Sequence, residues 1–304
     1  MAASRPTERD PEQFSAGPSG SARRPLAVAS GDLPARRSRT VLARSVWHVL
    51  VDRTDIPRVP RVVLFDMDDT LFDHSFSLRR GLAAVWRSDP KVRSRPLADF
   101  VTEYERLLEE IHPRVLRGQT THAEARVERF RRLFEWAGSQ RPEGEINRLS
   151  ARYRLAYQSS RRAVDGAPAL LRAVHGRVSV GVVSNNHTAE QRENVRAIGI
   201  GEYLDFLLTS EDAGAAKPKP EIFHAALARV SASPEEAVMV GDNWPADIVG
   251  AQALGIRSVW LNRRGLARPD PASEVLELRS LRPTVAVRRS LLGEGPSRRR
   301  PTTP

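Results

Sequence analysis

The 304-residue sequence predicts an α/β fold, a mainly parallel sheet with an all-helical insertion. Three observations carry this. Apolar runs of strand length end abruptly in polar residues, as buried parallel strands do. From Val164 onward these runs alternate with helical patterns, as in βαβ units. Between Phe72 and about Val164 the pattern is helical throughout.

The first strand is Arg61-Val62-Val63-Leu64-Phe65. It runs into Asp66-Met67-Asp68-Asp69-Thr70 and then Leu71-Phe72-Asp73. Three carboxylates within four positions repel one another. They are costly to desolvate unless a cation or a functional partner offsets them. Ligands of open α/β sheets sit at this end of the strands.

The insertion has four candidate helices, Ser77–Ser88, Leu97–Glu110, Thr121–Ala137 and Glu143–Ser159. Phe100, Tyr104, Leu107, Leu108 and Ile111 recur at three- and four-residue spacing. Thr121 with Glu124 makes a capping box, and Pro113 and Gly138 mark boundaries. A helical block rooted beside an acidic strand end is placed to close over it. Trp86, Tyr104, His112, Arg114, His122, Arg126 and Tyr157 are its candidate substrate contacts.

Beyond Val164, a helix over Ala167–His175 precedes the strand Arg177–Val183, which ends at Ser184-Asn185-Asn186 before a helix His187–Ile198. A hydroxyl residue at a helix start can cap the helix or offer its hydroxyl and free N–H groups to an anion. His187 reads as a surface histidine. The strand Phe206–Thr209 leads to Lys217-Pro218-Lys219-Pro220 and a helix from Glu221 to about Val230. Ala237–Val240 is the next strand. It ends in Gly241-Asp242 and is followed by Asp247 within a helix over Ala246–Leu254. Ser258–Leu261 is the last expected strand.

Composition narrows the class. There is no cysteine, so no disulfide framework and no thiolate metal site. No apolar run approaches the ~20 residues that span a bilayer, and residues 1–31 lack a signal-type apolar core. A cytoplasmic protein without membrane partners is the default. The net charge is +11, of which residues 1–60 and 283–304 carry +4 each. The first reads as a basic, disordered or loosely packed extension with a short amphipathic stretch at residues 41–50, and the second as a basic disordered tail. The arginines are scattered without interleaved aromatics, so nucleic acid is not the expected partner.

Taken together, Asp66-Met67-Asp68-Asp69-Thr70-Leu71, Ser184-Asn185, Lys217-Pro218-Lys219-Pro220 and Gly241-Asp242 to Asp247 resemble, in order, the four motifs of the haloacid dehalogenase superfamily in its phosphatase form. The resemblance covers about residues 61–265. It implies a Rossmann-like three-layer core over 61–74 and 164–282, with a helical cap over 75–163. It also implies a Mg2+-dependent phosphatase acting on a small phosphorylated metabolite, most similar to nucleoside-monophosphate and sugar-phosphate phosphatases, as monomer or homodimer.

In that family pattern Asp66 is the nucleophile and Asp68 the general acid and base. Mg2+ is held by Asp66, the main-chain carbonyl of Asp68 and Asp242. Ser184, Asn185 and Lys217 bind the transferring group, Thr70 supports the loop, and Asp247 orients Lys217 or a metal-bound water. An acid at position 68 separates this pattern from halide-releasing relatives, because a halide leaving group needs no proton. Phosphoryl transfer to a second hydroxyl and a non-catalytic phospho-ligand binding module remain as alternatives.

Overall fold

The computed structural model describes residues 59–294. The expected extension over residues 1–60, with its helix candidate, falls almost wholly outside the described residues, as does the tail beyond 294.

Six strands form one parallel sheet in the order β3-β2-β1-β4-β5-β6. They are β1 (Val62–Phe65), β2 (Ser179–Ser184), β3 (Phe206–Thr209), β4 (Ala237–Gly241), β5 (Arg257–Leu261) and β6 (Leu276–Leu278). β1 lies between β2 and β4 in register, with Val63 opposite both Val180 and Val238. Every residue of β1 is buried. Alternate side chains go to opposite faces of the strand. Val63 and Phe65 join the core that contains Leu170, Leu171 and Leu291, and Val62 and Leu64 join the one built on Ile222, Phe223 and Leu227. The sheet is therefore covered on both faces, which explains why its strands read as continuous apolar runs.

Between β1 and β2 come α1 (His74–Trp86), α2 (Pro90–Arg93), α3 (Leu97–Leu116), α4 (His122–Trp136), α5 (Glu143–Ser159) and α6 (Ala167–Val174). The first five form the helical cap. Tyr104, Phe130, Phe134 and Tyr153 interlock at its centre, with ring centroids 5.3–6.3 Å apart in the contacts of Phe130. Thr121 and Glu124 close the capping box that starts α4. Pro113 does not end α3 but sits inside it. Ile111 and Val115 bury against Ala125, and that contact carries the helix one turn past the proline.

The remaining helices are α7 (Thr188–Ala197), α8 (Ser210–Ala213), α9 (Pro220–Ala228), α10 (Gly250–Gln252) and α11 (Thr284–Leu292), with a π-helical turn over Trp244–Val249. Two elements depart from the sequence reading. β6 was not expected at all, and α11 occupies part of the stretch read as a disordered tail. Val287, Leu291 and Leu292 of α11 are buried in the main core, so this segment belongs to the folded body. None of the described helices is long and apolar enough to cross a membrane.

Candidate active site

The strand order reverses between β1 and β4, so a crevice opens outside their carboxyl ends. Asp66 follows β1, Ser184 ends β2 and Asp242 follows β4, so three separate stretches of sequence arrive at one place. Lys217 reaches it from the turn before α9.

Lys217 is the hub. Its Nζ donates to Asp66 Oδ1, Asp247 Oδ1 and the carbonyl of Val183, each at 2.7 Å. All three ammonium protons are thereby used. Burial disfavours the charged form, but Asp247 and Asp66 outweigh it and raise the pKa. Asn185 clamps the lysine backbone from both sides: Nδ2 donates to Lys217 O at 2.8 Å and Oδ1 accepts from Lys217 N at 2.7 Å. Asp247 Oδ2 accepts from Asn243 N at 3.0 Å. A Cβ on Gly241 would lie 2.2 Å from Asp247 Oδ2, so only glycine lets this carboxylate pack against β4.

Asp68 sits on the other side of Asp66 and faces the cap. Its Oδ2 accepts from Gln191 Nε2 at 2.7 Å and more weakly from Asn186 Nδ2 at 3.4 Å. The same Gln191 Nε2 donates to Ser184 Oγ at 2.9 Å, and Gln191 Oε1 accepts from Asn194 at 2.9 Å. His74 Nδ1 lies 3.8 Å from Asp68 Oδ1 and 2.9 Å from the Tyr157 hydroxyl. Burial raises the Asp68 pKa, with His74 opposing and Asp66 adding to the rise. Asp69 plays a different part. It has positive φ, and its carboxylate accepts from Ser75 N and Ser75 Oγ at 2.9 and 2.6 Å, closing the turn.

The donor set fits a hard divalent cation. Carboxylate oxygens of Asp66, Asp242 and Asp247 lie within 4.8 Å of one another. Burial, then Asp66, Asp247 and Asp69, push the Asp242 carboxyl well above its usual range, a sign of negative charge in excess of what Lys217 offsets. Both oxygens of Asp247 are already hydrogen-bonded, so Asp66 and Asp242 are the carboxylates free to ligate.

Of the residues singled out in the sequence, Asp66, Lys217 and Asp247 are in direct contact, Asp242 adjoins them, and Gln191 bridges Asp68 to Ser184. The Asn185 side chain is committed to the Lys217 backbone. Thr70 is fully buried, and its Oγ1 has no partner among the described residues. Lys219 is exposed. Gln191 and Asn194 were missed; their three-residue spacing on one helix face was the available signal.

A cavity of about 430 Å3 opens between this site and the cap. Tyr104, His112, His122, Arg126 and Tyr157 line it, and so does His187, whose side chain is still 38% exposed, in keeping with a surface histidine. The His122 and His187 rings meet edge to face at 4.3 Å. Trp86 and Arg114 are elsewhere, bonded to Arg95 O and Glu128.

The haloacid dehalogenase-like hydrolase family model matches residues 60–255. A ribulose-1,5-bisphosphate 5-phosphatase from Halopiger xanaduensis is 34% identical over 203 residues, 65% of this chain and 82% of the relative. The pyrimidine 5'-nucleotidase YjjG of Escherichia coli is 28% identical over 221 residues, 72% of this chain and 93% of the relative. Among solved structures, magnesium-bound YfnB of Bacillus subtilis, described as a HAD-hydrolase, aligns with a TM-score of 0.62 at 24% identity, covering 76% of this chain and 100% of that one. At that identity the likeness is one of fold.

Proposed function

We propose, for a chain that belongs to the haloacid dehalogenase-like hydrolase family, that it is a Mg2+-dependent phosphatase cleaving a small organic phosphate monoester through an aspartyl-phosphate on Asp66. The observation that carries the reading is the placement of Asp66 at the switch point. Its carboxylate is held by Lys217 on one side, and the Asp68 carboxyl beside it faces the cavity.

In this reading an Asp66 oxygen attacks phosphorus and the bond from phosphorus to the ester oxygen breaks. Asp68 gives its proton to the leaving alkoxide. Asp68 then takes a proton from water, which attacks phosphorus, breaks its bond to Asp66 and releases inorganic phosphate. Gln191 holds the Asp68 carboxyl beside the path of that proton. Ser184 Oγ, the Asn185 main-chain N–H and the Lys217 ammonium stabilise charge on the transferring oxygens. Asp66, the main-chain carbonyl of Asp68 and Asp242 would hold Mg2+, whose contribution is to shield phosphate oxygens from the crowded carboxylates. Asp247 keeps Lys217 charged and in place.

The named activities of the two sequence relatives support a sugar-phosphate or nucleotide substrate. The test is phosphate release, screened over sugar phosphates, nucleoside monophosphates and other small phosphate esters, with and without chelator. Wild type is expected to release phosphate only with Mg2+, and Asp66→Asn to lose at least ~10^4-fold. A well-folded wild type that releases phosphate from none of these compounds would overturn the reading.

A further inference from the structure

The cap wall of the 430 Å3 cavity holds polar groups that the mechanism above does not use. Eight buried side-chain polar atoms have no partner among the described residues, and four of them line this one cavity: the Tyr104 hydroxyl, His122 Nε2 and Arg129 Nε on the cap wall, and Asp68 Oδ1 of the general acid opposite. Folded proteins leave few such atoms, so their collection in one place points to a ligand.

Arg129 is the decisive member. It is only 6% exposed, yet no carboxylate among the described residues lies within 4.0 Å of its guanidinium. Its one close neighbour of note is the face of Tyr104, 5.3 Å away. Arg126, one turn earlier, donates to Ser150 Oγ at 3.3 Å and also lacks a carboxylate partner among the described residues. Other cap arginines either carry a carboxylate partner or are exposed. Arg114, Arg132, Arg141 and Arg154 are paired with Glu128, Glu110, Glu145 and Glu190. The acidic lining residues do not pair with either arginine: Glu190 is taken by Arg154 and Arg161, and Asp68 faces His74 at 3.8 Å. A buried guanidinium without a counter-ion is costly to maintain, and its planar fork suits a carboxylate or phosphate.

We propose that Arg129, with Arg126 and the Tyr104 hydroxyl, forms a second anion subsite in the cap, which binds a carboxylate or second phosphate at the far end of the substrate. The inference rests on the phosphatase reading for the position of the phosphoryl group that is cleaved. It narrows the substrate to compounds anionic at both ends.

The test uses full-length Asp66→Asn, which binds without turnover, and titration calorimetry with two matched pairs. Glycerol 3-phosphate and 3-phosphoglycerate differ by a hydroxymethyl for a carboxylate. Fructose 6-phosphate and fructose 1,6-bisphosphate differ by the second phosphate. At least one doubly anionic probe is expected to bind about tenfold or more tighter than its congener, and the pair that shows it identifies the anion. Adding Arg129→Met should erase that preference and leave the congener within about threefold, while Arg129→Lys should restore part of it. Arg126→Met serves if Arg129→Met does not fold, as judged by its melting curve. Equal affinity within both pairs, or equal weakening of both members by Arg129→Met, would overturn the subsite. Failure of the phosphatase reading shows separately, as no phosphate release by the active enzyme.

Discussion

At the carboxyl ends of β1, β2 and β4 Lys217 and the groups around it close on one another, whereas across the gap several buried polar groups of the cap line the cavity without a partner among the described residues. Lys217 spends all three protons on fixed acceptors, and Asn185, Asp247 and Gln191 are each bonded at two or more atoms. In the cap Arg129, Tyr104 and His122 keep buried atoms without partners among the described residues. The difference separates two tasks. Charge stabilisation at phosphorus is the same for every phosphate ester, and it profits from dipoles fixed before substrate arrives. Recognition of the rest of the molecule needs groups held in reserve, which only the right ligand satisfies.

The contrast would break first at Lys217. In Lys217→Met the carboxylates of Asp66 and Asp247 lose their shared cation inside the protein. Removing one partner of a buried ion pair costs about 3–5 kcal/mol. The denaturant midpoint should fall accordingly, and phosphate release should disappear with it. An unchanged midpoint would mean that the sheet-end site is less closed than its hydrogen bonds indicate.

A smaller effect sharpens the cap side. Burial, then His187, push the His122 pKa down to about 4, below the ordinary 6.5. Between those two values the unfolded chain binds a proton that the folded chain does not, so stability held above pH 6.5 is lost as pH falls toward 4. The wild-type melting temperature should therefore drop between pH 7 and pH 5. His122→Phe, which removes both the titration and the orphaned Nε2, should flatten that drop. Parallel curves for the two proteins would remove His122 from the account.

Much of this was legible in the sequence because each catalytic candidate follows an apolar run directly. Asp66, Ser184 and Asp242 sit one step past or at the end of β1, β2 and β4, and local pattern suffices to find a strand end. The illegible parts depend on contacts distant in sequence. Gln191 reads as an ordinary helix residue until the fold brings Asp68 against it, 123 residues away. Asn185 is visible as a polar residue after a strand, but not as the clamp on Lys217. α11 hid because its two arginines, Arg288 and Arg289, dilute a short apolar face that only the packing of Val287, Leu291 and Leu292 reveals. The orphaned state of Arg129 could not be read at all, since it is defined by which carboxylates other arginines take.

The most direct test of the central claim is covalent. The wild-type protein is mixed with a turned-over phosphate ester and Mg2+, quenched in acid during the first turnovers, digested and mapped by mass spectrometry. The account predicts a phosphoryl group on the peptide that carries Asp66 and none in Asp66→Asn. A phosphoryl group on Ser184 instead, or undiminished phosphate release by Asp66→Asn, would contradict it.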